Sequence, residues 1–118
     1  MNIHLLKGKI HRAVVTDASL DYAGSLGIDQ GFIRQAGILP YEKILVGNIT
    51  NGNRFETYAI PSKEGSGAIC LNGAAARLGA VGDLVVIMAF CEIPAEQAAQ
   101  WVPKIITLSE NNTKVTVK

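Results

Sequence analysis

The chain has 118 residues, enough for one domain that buries roughly two-thirds of its unfolded surface and too few for two. Its 11 basic and 10 acidic residues leave a net charge of +1 and are scattered, so there is no block to grip a nucleic-acid backbone or an anionic membrane. Hydrophobic residues reach 48% while charged ones stop at 18%, below the usual value of about 25%, an excess of apolar surface that suits buried subunit interfaces.

The start, Met1-Asn2-Ile3-His4-Leu5-Leu6, lacks the apolar core and cleavage site of a secretory signal, and no apolar run approaches the ~18 residues of a membrane span. A cytoplasmic protein is expected. Strands are expected near 3–7 and 9–17, where β-branched residues alternate with polar ones.

Next comes Leu20-Asp21-Tyr22-Ala23-Gly24-Ser25-Leu26-Gly27-Ile28-Asp29. Gly24-Ser25 is a dipeptide at which a chain can cut itself: glycine tolerates strained dihedrals that turn its carbonyl toward the next side chain, and serine supplies an attacking hydroxyl. An N-to-O acyl shift, elimination to dehydroalanine and hydrolysis with loss of ammonia would leave a pyruvoyl group, a ketone able to accept electrons as pyridoxal does. Gly-Ser is also a common turn.

Asp29 can cap a helix over 30–36 that closes at Gly37. A strand at 42–49, the turn signal Asn51-Gly52 and a strand at 54–60 predict a hairpin with a type I′ turn. On a regular strand Arg54, Glu56 and Tyr58 share a face and Thr57 points to the other, so a site using both Thr57 and Tyr58 needs a bulge or must wrap the strand's end. A strand at 67–71 leads into Asn72-Gly73-Ala74-Ala75-Ala76-Arg77, a tight turn entering one helical turn whose N–H groups could face a carboxylate.

Strands are expected at 83–92, 104–109 and 113–117, with a short helix over 95–100 begun by Pro94 and ended by Trp101 and Pro103. Cys70 and Cys91 lie among apolar residues without metal-ligand spacing, as reduced core thiols do. Short strands divided by Gly, Pro and Asn indicate a mainly β fold, a small barrel with short helices.

Four blocks carry a resemblance: Lys7-Gly8-Lys9-Ile10-His11-Arg12; Tyr22-Ala23-Gly24-Ser25 with Ile28-Asp29; Asn51-Gly52-Asn53-Arg54-Phe55-Glu56-Thr57-Tyr58-Ala59-Ile60; and Leu71-Asn72-Gly73-Ala74-Ala75-Ala76-Arg77 followed by Gly79-Ala80-Val81-Gly82-Asp83. In that order and spacing the chain resembles the aspartate decarboxylase family, pyruvoyl enzymes that make β-alanine, over nearly its whole length. The resemblance implies a single six-stranded double-ψ β-barrel over 1–118, cut into a β chain of 1–24 and an α chain of 25–118. It implies a homotetramer with sites between subunits, L-aspartate as substrate, β-alanine for pantothenate and coenzyme A, and neither metal nor pyridoxal phosphate. Whether cleavage is spontaneous or needs a maturation helper protein stays open.

By the same resemblance Ser25 becomes the pyruvoyl group and Tyr58 is the proton donor. Arg54 and Lys9 hold the substrate's remaining carboxylate, Thr57 polarises the Gly24 carbonyl, and Asn72, Gly73, Ala74 and Ala75 form the substrate-contacting loop, with His11 and Tyr22 in support. Each has an ordinary reading too: Tyr58 as core aromatic, Arg54 and Lys9 as solvated strand charges, Thr57 as a β-branched strand residue, 72–77 as a small-residue turn. The chain departs from some relatives at Leu26 and Gly47, away from the chemistry. Two other classes compete: a non-catalytic barrel in which Gly24-Ser25 is only a turn, and a serine hydrolase using Ser25 and His11, which lacks the first glycine of G-x-S-x-G.

Overall fold

Alternation of buried aliphatic side chains with outward ones generates most of the strands. In the computed structural model, which describes residues 1–118, the elements are β1 (Asn2–Val14), β2 (Asp17–Ser19), β3 (Ser25–Asp29), α1 (Gln30–Ala36), β4 (Lys43–Asn48), β5 (Arg54–Ser62), β6 (Ile69–Asn72), a 3-10 turn (Gly73–Arg77), β7 (Leu84–Pro94), α2 (Ala95–Ala98), β8 (Lys104–Ser109) and β9 (Lys114–Val117). No helix is long and apolar enough to cross a membrane.

The fold is mainly β. Hydrogen bonding links nine strands in the order β2-β6-β3-β5-β4-β7-β1-β8-β9. Most neighbours are antiparallel, while β1–β8, β2–β6 and β3–β5 run parallel. Only Val15 and Thr16 separate β1 from β2, and their N–H groups donate to Asp83 O and Ile69 O, each at 2.9 Å. Ile10, Ala13, Val46, Val85, Ile87 and Ile106 turn inward from β1, β4, β7 and β8 and join Leu26, Ile28, Ala59 and Leu71 in a core cluster of 20 residues. Each large aliphatic side chain removed from water there contributes about 1.5–3 kcal/mol.

Helix α1 spans the expected residues with the expected ends. Asp29 Oδ1 accepts from Gly31 N at 2.7 Å, and Gly37 closes the helix in the left-handed region at φ 71°. Asp29 does more than cap: it is 2% exposed, and its Oδ2 accepts from Gly65 N at 3.1 Å and Gly67 N at 2.8 Å, binding the loop before β6 to the start of α1.

Elsewhere the expectations need correction. The stretch 3–7 and the first part of 9–17, up to Val14, form one strand, β1, with register shifts between Leu6 and Gly8 and between Ile10 and Ala13, while Asp17 already belongs to β2. Asn51-Gly52 does not make a type I′ turn, which requires positive φ at both central residues. Only Gly52 has it, at 82°, and the link from Asn48 to Arg54 is closed by Asn48 N to Asn53 O at 2.7 Å and Gly52 N to Asn48 O at 2.8 Å. The second helix stops at Ala98 because the chain turns back, and Trp101 Nε1 donates to Leu6 O at 2.8 Å on β1. Strand β3 was not anticipated, since its pairing partners lie far along the chain.

Asp29→Ala should lower stability by about 3 kcal/mol, because one buried carboxyl group serves three backbone donors that lose their partner together. Urea unfolding at fixed protein concentration measures it; a loss under about 1 kcal/mol would mean that water replaces the carboxylate.

Candidate functional site

Ser25 begins β3, the strand flanked on both sides. Against β6 it faces Asn72 directly, and Asn72 Nδ2 donates to its Oγ at 3.1 Å. Against β5 the parallel register begins with Leu26 beside Ala59, the residue after Tyr58. Paired residues on neighbouring strands share a face. Ser25 and Asn72 therefore share a face, with Ser25 only 4% exposed.

The pairing of β3 with β5 starts at Leu26, so the edge of β5 before Ala59 has no strand beside it on that side. A cleft of about 310 Å³ opens there, lined by Gly24, Phe55, Glu56, Thr57, Tyr58, Ala74, Ala75 and Leu78. Four consecutive β5 residues line it because the cleft wraps an open strand edge. That resolves how Thr57 and Tyr58 reach one place from opposite faces without a bulge.

The opposite wall is the 3-10 turn. Gly73 has φ 61°, and a Cβ there would come 2.7 Å from Gly24 Cα, 2.8 Å from Gly24 N and 2.9 Å from Tyr22 O. No side chain fits in that space. A Cβ on Gly24 would meet nothing within 4 Å, and Gly24 does not take a positive φ. The left-handed backbone and the close approach are therefore at Gly73, which seats the turn against Gly24 N and Cα and the Tyr22 carbonyl.

An asparagine cluster holds the far end of that wall. Leu78 O accepts from Asn51 Nδ2 at 3.1 Å and Asn53 Nδ2 at 3.2 Å, while the buried Asn48 accepts from Thr50 N and Asn51 N and donates to Asp83 Oδ2 at 2.9 Å. The 49–53 loop is thereby tied to the cleft. Asn-rich loops read as turns, so nothing in the residue types signalled this role.

Lys9 and Arg54 do not line the cleft. Lys9 pairs with Met88, Met88 with Leu45 and Leu45 with Glu56, three strand spacings or roughly 14 Å from β5. Arg54 lies over β4: a Cβ on Gly47 would be 3.7 Å from Arg54 Nη1, so the small residue at 47 gives the guanidinium its resting place. Glu56 was overlooked although it shares a face with Arg54 and Tyr58. It lines the cleft and pairs with Lys43 at 2.6 Å. Tyr41, also overlooked, stacks on Tyr58 with ring centroids 6.4 Å apart. A wider groove of about 530 Å³, lined by His4, Leu45, Phe90 and Cys91 among others, shares only Glu56 with the cleft and holds none of the expected residues.

Tyr22 contributes its carbonyl against Gly73 while its side chain is exposed. His11 Nδ1 is buried without a hydrogen-bond partner, and Ser25 Oγ bonds Asn72, so no Ser25–His11 dyad is recorded. Burial first, then the charges of Lys9 and Arg12, push the His11 imidazole below its ordinary 6.5. No group of three or more His, Cys, Asp or Glu side chains is placed to hold a metal.

A family model described as Aspartate decarboxylase matches residues 1–115. The chain is 53% identical over 117 residues to the aspartate 1-decarboxylase of Campylobacter jejuni subsp. jejuni serotype O:6, covering 99% of this chain and 92% of that protein. It is 55% identical over 112 residues to the namesake from Caldicellulosiruptor saccharolyticus, covering 95% and 88%. To that of Thermoanaerobacter pseudethanolicus it is 50% identical over 117 residues, covering 99% and 100%.

Gly73→Ala should destabilise the protein by about 1–3 kcal/mol through positive φ and the clash with Gly24, whereas Gly24→Ala should stay within about 0.5 kcal/mol. Equal thermal shifts for both would contradict the geometry. Because folded His11 resists the proton that the unfolded chain accepts, acid weakens the fold as pH falls below 6.5, and His11→Asn should remove that part of the decline. Unfolding midpoints measured across pH 5 to 8 test the sign.

Proposed function

The chain belongs to the aspartate decarboxylase family, and we propose that it decarboxylates L-aspartate to β-alanine and carbon dioxide with a pyruvoyl group made from its own Ser25. The observation that carries this reading is the setting of Ser25: a buried hydroxyl, held by Asn72, directly after a glycine against which Gly73 packs, with an open cleft beside it.

A small ketone at position 25 suits these surroundings. Residues 26–29 pair with β5, and 26–28 pair with β6 as well, so a new chain end at residue 25 would stay anchored. The 1–24 piece would be retained by β1 pairing with β7 and β8 and by β2 pairing with β6. When formed, the pyruvoyl group supplies a carbonyl that holds the substrate's amine and accepts the electron pair left by the departing carboxylate.

The chain's own residues do the rest. Before cleavage, Thr57 and Gly24 line the same cleft, where the threonine hydroxyl can polarise the Gly24 carbonyl while Asn72 holds the Ser25 oxygen. In the decarboxylation Tyr58 gives its phenolic proton to the carbon that has lost carbon dioxide. Ala74 and Ala75 line the cleft, and with Asn72 and Gly73 just before them they form the loop that contacts the substrate, while Arg54 and Lys9 supply cations for its remaining carboxylate. Within one chain those cations sit away from the cleft, which supports a site completed by another copy in a homotetramer.

Support for a six-stranded double-ψ barrel comes from β1 and β2. Two residues apart, they form the two edges of a run β2-β6-β3-β5-β4-β7-β1, which returns to its starting segment. A cytoplasmic setting accords with Cys70 and Cys91 both being free thiols, and β-alanine made there would feed pantothenate and coenzyme A.

Intact mass under denaturing, reducing conditions should give two fragments, 1–24 and 25–118, the larger lighter by one ammonia. Ser25→Ala should give one uncut, inactive chain. Incubating purified uncut protein alone separates self-cleavage from assisted cleavage. Tyr58→Phe should still be cut yet decarboxylate aspartate at least about 100-fold more slowly. A wild-type chain that stays whole and inert toward aspartate through purification and warming, with or without cell extract, would sink the reading.

A further inference from the structure

Tyr41 stands outside every role assigned so far, yet its backbone is strained. It has φ 69°, a region that glycine and asparagine enter readily and a bulky aromatic residue rarely does. Strain of this kind persists where the surroundings over-determine it, and here they do. Tyr41 N donates to Ala59 O at 2.7 Å, Ala59 N donates to Glu42 O at 3.0 Å, and Glu42 N donates to Leu39 O at 3.1 Å. The Glu42 carboxylate accepts from Leu39 N at 2.9 Å and from Lys7 Nζ at 2.7 Å, fixing the turn to β1 as well.

This turn is stapled to β5 at the residue after Tyr58, and its left-handed residue lays an aromatic ring on the Tyr58 ring, centroids 6.4 Å apart and planes inclined by 26°. Tyr58 sits on the outward face beside Arg54 and Glu56, where the core does not hold its ring. A proton donor to carbon has to stay within hydrogen-bond reach of one face of that carbon.

We propose that Tyr41 is a positioning residue for Tyr58, its stacked ring fixing the direction from which the Tyr58 phenol delivers the proton. The proposal rests on Tyr58 being the proton donor. Nothing is asked of the Tyr41 hydroxyl, so phenylalanine should serve in its place; asparagine and glycine accept the backbone angle and remove the ring.

Two readouts separate positioning from a merely structural role. In uncut Ser25→Ala protein labelled with 3-fluorotyrosine, the three tyrosines give three fluorine lines. Tyr41→Asn should move the Tyr58 line toward its solvent position, and Tyr41→Phe should leave it in place. In cleaved enzyme turning over in D2O, the wild type and Tyr41→Phe should put deuterium on one face of the new CHD carbon of β-alanine. Tyr41→Asn should scramble that stereochemistry and lower kcat about tenfold, with KM for aspartate within twofold.

An unchanged Tyr58 line with unchanged stereochemistry in Tyr41→Asn overturns the proposal, as does a kcat loss with both intact. Tyr41→Gly is the second ring-free variant, and loss of the fold in both would make Tyr41 structural and overturn it too. Failure of the wild type to cut or to act on aspartate would instead remove the proposed function, while the fluorine line would still report whether Tyr41 holds the Tyr58 ring.

Discussion

The double pairing of Ser25–Asp29 is the constraint on which the rest of the site depends. Leu26 and Ile28 are fully buried, so a slip of one residue would carry both out of the core, and the register of β3 against β5 and β6 is held by that cost. With that register set, Ser25 faces Asn72 on β6, and the next residue, Leu26, lies beside Ala59, the residue after Tyr58. The same short pairing leaves the start of β5 uncovered, so a single feature places the reactive residues and opens the space in front of them.

Strain gathers around this strand. Gly73 holds a conformation that no other residue would hold cheaply and packs on Gly24, while Tyr41 holds one that asparagine would hold better and stacks on Tyr58. Each is clamped by hydrogen bonds made elsewhere: Leu78 O ties the 3-10 turn to the asparagine loop, and Glu42 ties the Tyr41 turn to Lys7. Rigidity at the site is thus supplied by polar contacts some distance from it.

Charge is arranged differently from shape. The cleft carries one carboxylate, Glu56, neutralised by Lys43 at 2.6 Å, while Arg54 rests over Gly47 and Lys9 stands three strands away. For a dicarboxylate substrate a single chain offers shape and a proton donor with little positive charge facing the reacting centre. The proposed association of chains answers that deficit, and it accords with the high apolar content of so short a sequence.

The sequence by itself determined what depends on neighbours along the chain: α1 with its Asp29 cap and Gly37 terminus, the alternation that puts Arg54, Glu56 and Tyr58 on one face, and the dipeptide with the chemistry for self-cleavage. Side-chain period and capping are local, so they can be read from a few residues. Only the tertiary structure decided that Ser25 starts a strand, that its oxygen meets an amide 47 residues away, that Gly73 takes a left-handed backbone against Gly24, and that Lys9 lies apart from the cleft. Those outcomes come from pairings between distant segments, chosen by which register buries Leu26, Ile28, Ala59 and Leu71 together, and local pattern carries no record of that choice.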